Sequence, residues 1–195
     1  MKSIIGKNLF LVKEHLGIFK AANNYDIHDP ANGEVIMECR EPTLGFFTKL
    51  LRFTDYKSMT PFDVQIRTAD GQPVVRIHRG VSIFLSKVVV SDHNNDVIGG
   101  FKQKLFSIGG KFDVLDKDDN PICKLKGKIL GWNFHFMDGD TQLAHVSKKW
   151  AGLGKELFTS ADNYILEISD AVGEDENTRK LILAAVMCID MVLKE

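Results

Sequence analysis

Apolar and polar residues alternate along most of this chain in short runs broken by acidic or glycine-containing turns. Tyr25-Asp26-Ile27-His28 leads through Asp29-Pro30-Ala31-Asn32-Gly33 to Glu34-Val35-Ile36-Met37-Glu38, and Phe62-Asp63-Val64-Gln65-Ile66 leads through Ala69-Asp70-Gly71 to Pro73-Val74-Val75-Arg76-Ile77. The pattern returns at Val88-Val89-Val90 with Asp92 to Asp96, at Phe112-Asp113-Val114 with Asp116 to Asn120, and at Phe134-His135-Phe136 with Asp138-Gly139-Asp140. Each unit reads as strand, turn, strand, because side chains in a strand alternate at period two and Asp, Asn and Gly supply the turn backbone. A first hairpin is predicted at Asn8 to Lys13 and Gly17 to Ala21, and a last strand at Tyr164 to Ile168. About twelve strands are more than an open twisted sheet holds without curling, so the pattern predicts a mainly β chain closed into an antiparallel barrel.

Two stretches change to helical spacing. Leu44 to Phe53 places Phe46, Phe47, Leu50 and Leu51 on one face, which suits a cap over one end of the barrel better than a segment dipping into a membrane. Thr178 to Leu193 is apolar on every side, the mark of a helix buried all round. Its unbroken run from Leu181 is about 20 Å long at the helical rise, short of the roughly 30 Å of a bilayer core, so no transmembrane span is expected. As the one element apolar on all sides, it is placed along the barrel axis. Asn177 is the expected cap, after acids that suit a positive helix N-terminus. Asp190 lies inside the run, and a carboxylate buried there requires a donor from the surrounding strands.

The chain of 195 residues reads as a single domain, 1–195, with 44% apolar and 26% charged residues. A net charge of −1 gives no bulk attraction to nucleic acid or to an anionic membrane, so no nucleic-acid partner is expected and any basic site is local. Cys39, Cys123 and Cys188 are odd in number and widely spaced, which favours structural thiols in a reducing compartment over a disulfide frame or a zinc site. The N-terminus shows no apolar signal core, so a cytoplasmic location is expected. The histidines, His15, His28, His78, His93, His135 and His145, are scattered without metal-ligand spacing. No nucleophile elbow, phosphate loop or dinucleotide fingerprint is present. The chain is therefore expected not to be an enzyme and to need no cofactor.

One block carries a family signature. Ser147-Lys148-Lys149-Trp150-Ala151-Gly152, then Glu156-Leu157-Phe158-Thr159-Ser160-Ala161-Asp162-Asn163-Tyr164, then Ile189-Asp190-Met191, resembles the C-terminal third of the phospholipid scramblase family in order and spacing. The resemblance implies a tubby-like fold, a twelve-stranded barrel around a central C-terminal helix, and phospholipids as the partner class. The family's proline-rich N-terminal extension and acylated cysteine cluster have no counterpart in these residues, so neither function is carried over. Its proposed calcium segment falls on Ser160 to Ala171. Calcium takes six to eight oxygens from a flexible loop, whereas only Asp162, Asn163, Glu167 and Asp170 offer side chains here, and Tyr164, Leu166 and Ile168 alternate as a strand. The strand reading is preferred to a calcium site.

Basic residues provide a stronger candidate. Lys124, Lys126 and Lys128 share one strand face, Lys102 and Lys104 another, and Lys148 and Lys149 adjoin Trp150, an amphipathic ring suited to a membrane interface. Such faces suit a phosphate or an anionic headgroup. The expected function is a soluble, scramblase-related protein that binds an anionic phospholipid or membrane surface peripherally, with little autonomous lipid transport. The alternative is a protein-interaction or regulatory module that keeps the fold without binding lipid.

Overall fold

Three of the acidic turns close in one way, and the first residue of each explains why. Side-chain oxygens of Thr68, Asp92 and Asp116 accept the backbone N–H four residues on, from Gln72 at 3.0 Å, Asp96 at 3.0 Å and Asn120 at 2.8 Å, which replaces the next rung of the strand ladder. Gly71, Asn95 and Asp119 then take positive φ of 88°, 67° and 63°, a conformation open to Gly and less costly for Asn and Asp than for other residues. Each hairpin also carries a register shift beside its turn, at Ile66/Arg67, Val90/Ser91 and Val114/Leu115, where one extra residue bends the strand.

The computed structural model describes residues 4–15, 24–42, 60–81, 87–103, 112–128, 132–148 and 163–193. Twelve strands lie among them: β1 Leu9–Glu14, β2 Tyr25–His28, β3 Val35–Arg40, β4 Phe62–Thr68, β5 Pro73–Arg79, β6 Lys87–Asp92, β7 Val97–Gln103, β8 Phe112–Asp116, β9 Pro121–Lys128, β10 Asn133–Asp138, β11 Thr141–Ser147 and β12 Asn163–Ile168. Each pairs antiparallel with its sequence neighbours, and β1 also pairs with β12, closing the barrel. The five predicted hairpins and the last strand are all present. The opening strand pairs with Tyr25–His28; the second arm predicted for the first hairpin, Gly17 to Ala21, lies outside the described residues, as does the Leu44 to Phe53 helix. Because strand direction alternates, the five hairpin turns open at one end, which we term the turn end. There β1 begins and β12 finishes, with Leu9 opposite Glu167.

The chain re-enters the barrel from that end as a helix, α1, Glu176–Leu193. Its N-terminus is capped by Asp175, not by the predicted Asn177. Asp175 Oδ1 accepts the backbone N–H groups of Asn177 and Thr178 at 3.0 and 3.2 Å, satisfying donors that have no partner inside the helix. Arg179 ties this end to the start of the chain, donating to the carbonyls of Gly173 at 2.8 Å and Lys7 at 3.0 Å and to Asn8 Oδ1 at 2.6 Å.

Every residue from Leu181 to Ile189 is at most 3% exposed. The helix touches β5, β7 and β8 on one side and β12 on the other, strands that stand nearly opposite in the closed order, so it runs through the interior. Six large apolar side chains buried in that run contribute on the order of 10 kcal/mol, comparable with the whole stability of a domain. The helix therefore cannot leave the barrel without unfolding it. Among the described residues, no helix is long and apolar enough to cross a membrane.

Candidate functional site

Strand alternation decides which lysines face outward. In β9, Cys123 and Leu125 are buried while Lys124 and Lys126 are exposed, so the barrel interior takes one set and the solvent the other. Lys102 of β7 is likewise exposed. Register places them on one wall: Lys87 stands opposite Lys102, Lys102 opposite Asp113, and Asp113 opposite Lys124. Lys87 is held by Asp119 at 3.1 Å, whereas no ion pair engages Lys102, Lys124 or Lys126 among the described residues. Lys124 and Lys126 border a shallow cleft of about 360 Å³, whose other side carries Met137, Asp138 and Asp140.

The predicted basic residues fall into two groups. Lys128 ends β9 opposite Asn133, continuing the wall of Lys124 and Lys126 in the backbone. Lys148 lies one residue beyond β11, and its backbone N–H donates to the Trp132 carbonyl at 3.3 Å. Its ammonium sits 4.5 Å from the Trp132 ring centroid, a cation–π contact, and Trp132 in turn stacks on Tyr164 with centroids 5.3 Å apart. Lys148 is thus occupied by an aromatic platform, while Lys124 and Lys126 are open to a ligand. Lys104, Lys149 and Trp150 lie outside the described residues.

The weak calcium candidates do not converge. Asn163 opens β12 opposite Lys13 and is buried. Asp170 begins a 3-10 turn beyond the far end of the same strand and accepts from Asn8 Nδ2 at 2.6 Å. Some 20 Å of extended chain separates the two, too far for one ion. Asp162 lies outside the described residues, and among the described residues no three His, Cys, Asp or Glu side chains gather as metal ligands.

Sequence reading missed a histidine pair on the same wall. His135 of β10 stands opposite both Lys126 and His145, and His145 stands opposite Glu167. The rings stack with centroids 4.6 Å apart and planes 15° from parallel. Gln142 Oε1 meets His135 Nδ1 at 2.7 Å, and Asn133 Oδ1 meets His145 Nε2 at 2.6 Å. Burial, and then the neighbouring His135, push the His145 pKa below the ordinary imidazole value, so this ring favours its neutral form. In-plane lone pairs of two nearly parallel stacked rings do not converge on one metal ion, and the pair reads as part of the polar outer wall.

Comparisons with known proteins agree with this architecture. The chain is 26% identical over 188 residues to altered inheritance rate of mitochondria protein 25 of Saccharomyces cerevisiae, covering 84% of this chain and 57% of that protein. It is 23% identical over 217 aligned positions to a phospholipid scramblase family protein of Schizosaccharomyces pombe, covering 98% of this chain and 56% of that one. The chain thus spans a little over half the length of these curated relatives. An X-ray structure of an Arabidopsis thaliana protein superposes with a TM-score of 0.53 at 16% identity, covering 95% of this chain and 92% of that one, a likeness of fold alone. The sequence model of the family described as Scramblase matches residues 4–195, nearly the whole chain, and the protein belongs to that family.

Proposed function

We propose that this scramblase-family domain is a non-enzymatic binder of anionic phospholipid headgroups, which it meets on the outer wall of β7 to β10. The observation that carries the reading is the alignment of Lys102, Lys124 and Lys126, all exposed and none engaged by an acid among the described residues. Lysines on exposed strands often serve to protect an open sheet edge. A closed barrel has no such edge, so that explanation does not apply here. Ammonium groups in a row suit phosphate oxygens as charge-assisted donors, and each lysine near an anionic surface adds about 1 kcal/mol of attraction. Lys128 continues this wall along the backbone, and Lys104, Lys148, Lys149 and Trp150 are further candidates from the sequence alone. Its acidic neighbours, Asp113, Asp138 and Asp140, restrict how a headgroup approaches the wall.

Sedimentation with phosphatidylserine-containing and with purely zwitterionic liposomes tests the proposal. Binding is expected only to the anionic vesicles. Lys124→Gln with Lys126→Gln should weaken it about 30-fold, two such contributions combined. Equal binding to both vesicle types, or none, overturns the reading.

A further inference from the structure

The cleft of about 360 Å³ beside β9 carries charges of both signs that do not meet. Lys124 and Lys126 border it, and Asp138 and Asp140, at the turn between β10 and β11, line its other side. All four are exposed, and among the described residues none of them forms an ion pair or a side-chain hydrogen bond. Nearby, lysine and acid have closed on each other, Lys87 on Asp119 at 3.1 Å and Lys117 on Asp118 at 3.0 Å. In the cleft the backbone keeps them apart: Lys124 and Lys126 stand opposite Met137 and His135, and the acids follow at the end of β10 and beyond it. Ile122 and Met137, both half-buried, supply an apolar part of the lining.

We infer that this cleft binds a phosphate ester bearing a primary ammonium, the chemistry of ethanolamine and serine headgroups, with Lys124 and Lys126 on the phosphate and Asp138 and Asp140 on the ammonium. The inference rests on the headgroup reading above and adds to it a choice among headgroups. Two lysines and two carboxylates leave the cleft itself neutral, so a bare anion meets attraction and repulsion together. A ligand with both charges satisfies both sides through charge-assisted hydrogen bonds. A choline headgroup has the same net charge as ethanolamine but no N–H to donate. No aromatic side chain among the described lining residues offers the cage that holds a quaternary ammonium. The volume lies near the lower end for small-ligand sites, which suits a headgroup whose acyl chains stay in the bilayer.

Vesicles that share one anionic lipid and differ only in the second lipid test it. Binding to phosphatidylglycerol with phosphatidylethanolamine should be about three-fold tighter than to phosphatidylglycerol with phosphatidylcholine, the worth of one exposed ion pair. Asp138→Asn with Asp140→Asn should remove this preference, and Asn suits the turn as Asp does. Asp70→Asn with Asp96→Asn, the same change of charge in two other hairpin turns, should keep it. Equal binding of the parent to the two vesicles, or a preference that survives Asp138→Asn with Asp140→Asn, overturns the inference while the headgroup reading stands on the anionic lipid.

A second measurement separates the cleft from the membrane. In amide NMR spectra, soluble glycerophosphoethanolamine should shift residues 122–126 and 137–140, and glycerophosphocholine should not. Such shifts without binding to either vesicle would keep the cleft and remove the headgroup reading, assigning the ligand to a soluble aminophosphate. Equal shifts from both compounds, or none, overturn the inference whatever the vesicles show.

Discussion

Leu181 of α1 packs against the bare backbone of Gly99 in β7. A Cβ built at position 99 would stand 3.0 Å from both terminal methyl carbons of Leu181 and 2.2 Å from the Leu115 carbonyl oxygen. The missing side chain is what lets the helix lie this close to the wall. Its neighbour Gly100 is equally confined, by the Val88 carbonyl oxygen at 2.2 Å from its own added Cβ. Gly99→Ala should therefore destabilise the fold by at least the 1–3 kcal/mol usual for overpacking, because the obstruction is backbone and cannot rotate aside. Leu181→Ala, which opens a void in place of a clash, should cost roughly 2–5 kcal/mol. Urea denaturation of both variants checks this, and a Gly99→Ala protein as stable as the parent would show that β7 does not approach β8 and the helix as closely as described.

The Asp63–Arg76 pair on the outer wall sets an acid dependence. Arg76 donates through Nε to Asp63 Oδ1 at 2.8 Å and through Nη2 to Oδ2. This hydrogen bonding holds the Asp63 carboxyl below its ordinary 3.8 against the opposing effect of burial. A carboxyl whose pKa falls on folding stabilises the native state above its unfolded pKa, and that contribution is lost as pH falls through the folded value. Arg76 is 45% and Asp63 32% exposed, so the pair should contribute under about 1 kcal/mol. Asp63→Asn is expected to cost that amount at pH 7 and nothing well below pH 3.8. Denaturation midpoints at both pH values measure it, and a difference that persists in acid would assign the loss to packing.

Cys39, Cys123 and Cys188 should be silent in the native protein. Burial pushes the Cys39 and Cys123 thiols up to about 12 and the Cys188 thiol upward as well, and the thiolate is the reactive form. Titration with an aromatic disulfide at pH 8 should show no rapid phase in native buffer and three equivalents in denaturant. The informative thiol is Cys123, on the strand that carries Lys124 and Lys126. A fast single equivalent there would mean that β9 opens locally and that the lysine wall is not a fixed surface.

The strands were legible because burial on one face leaves a period of two in the sequence, and α1 because burial on every face removes periodicity. What alternation does not reveal is register. Counted back from the Asp138–Thr141 turn without interruption, His135 falls opposite Ala144; the shift at Phe136/Met137 moves it to His145, so the histidine pair was invisible from spacing alone. The cap was misplaced by two residues for a similar reason: Asp175 and Asn177 both have capping side chains, and only the backbone path shows which one reaches the free N–H groups. The outward face of Lys124 and Lys126 was readable, because it follows from alternation and not from pairing. That Lys148 is engaged by Trp132 was not, since the contact joins the ends of β10 and β11.

Asp190 bears on the central helix itself. Its backbone lies in α1 between Ile189 and Met191, which are 1% and 6% exposed, and its side chain lies outside the described residues. A carboxylate carried into a protein interior is retained only if a donor compensates its desolvation. Arg79 of β5 is a buried cation on the surrounding wall, 2% exposed, donating to the Thr60 carbonyl and close enough to Cys188 for its charge to draw that thiol's pKa down. Asp190→Ala should strand the donor and cost roughly 1–3 kcal/mol if it is neutral and more if it is charged. Asp190→Leu should be no better, because added apolar volume does not replace the lost acceptor. Combining either substitution with Arg79→Met tests whether Arg79 is that donor: a cost below the sum of the single changes identifies it, and additive costs assign the donor elsewhere. A helix used as a membrane anchor would behave oppositely, because removing its one carboxylate favours insertion. Soluble yield, melting temperature and membrane fraction of the Leu variant separate the two: a protein equally stable and more membrane-bound than the parent would overturn the role of α1 as the barrel's core.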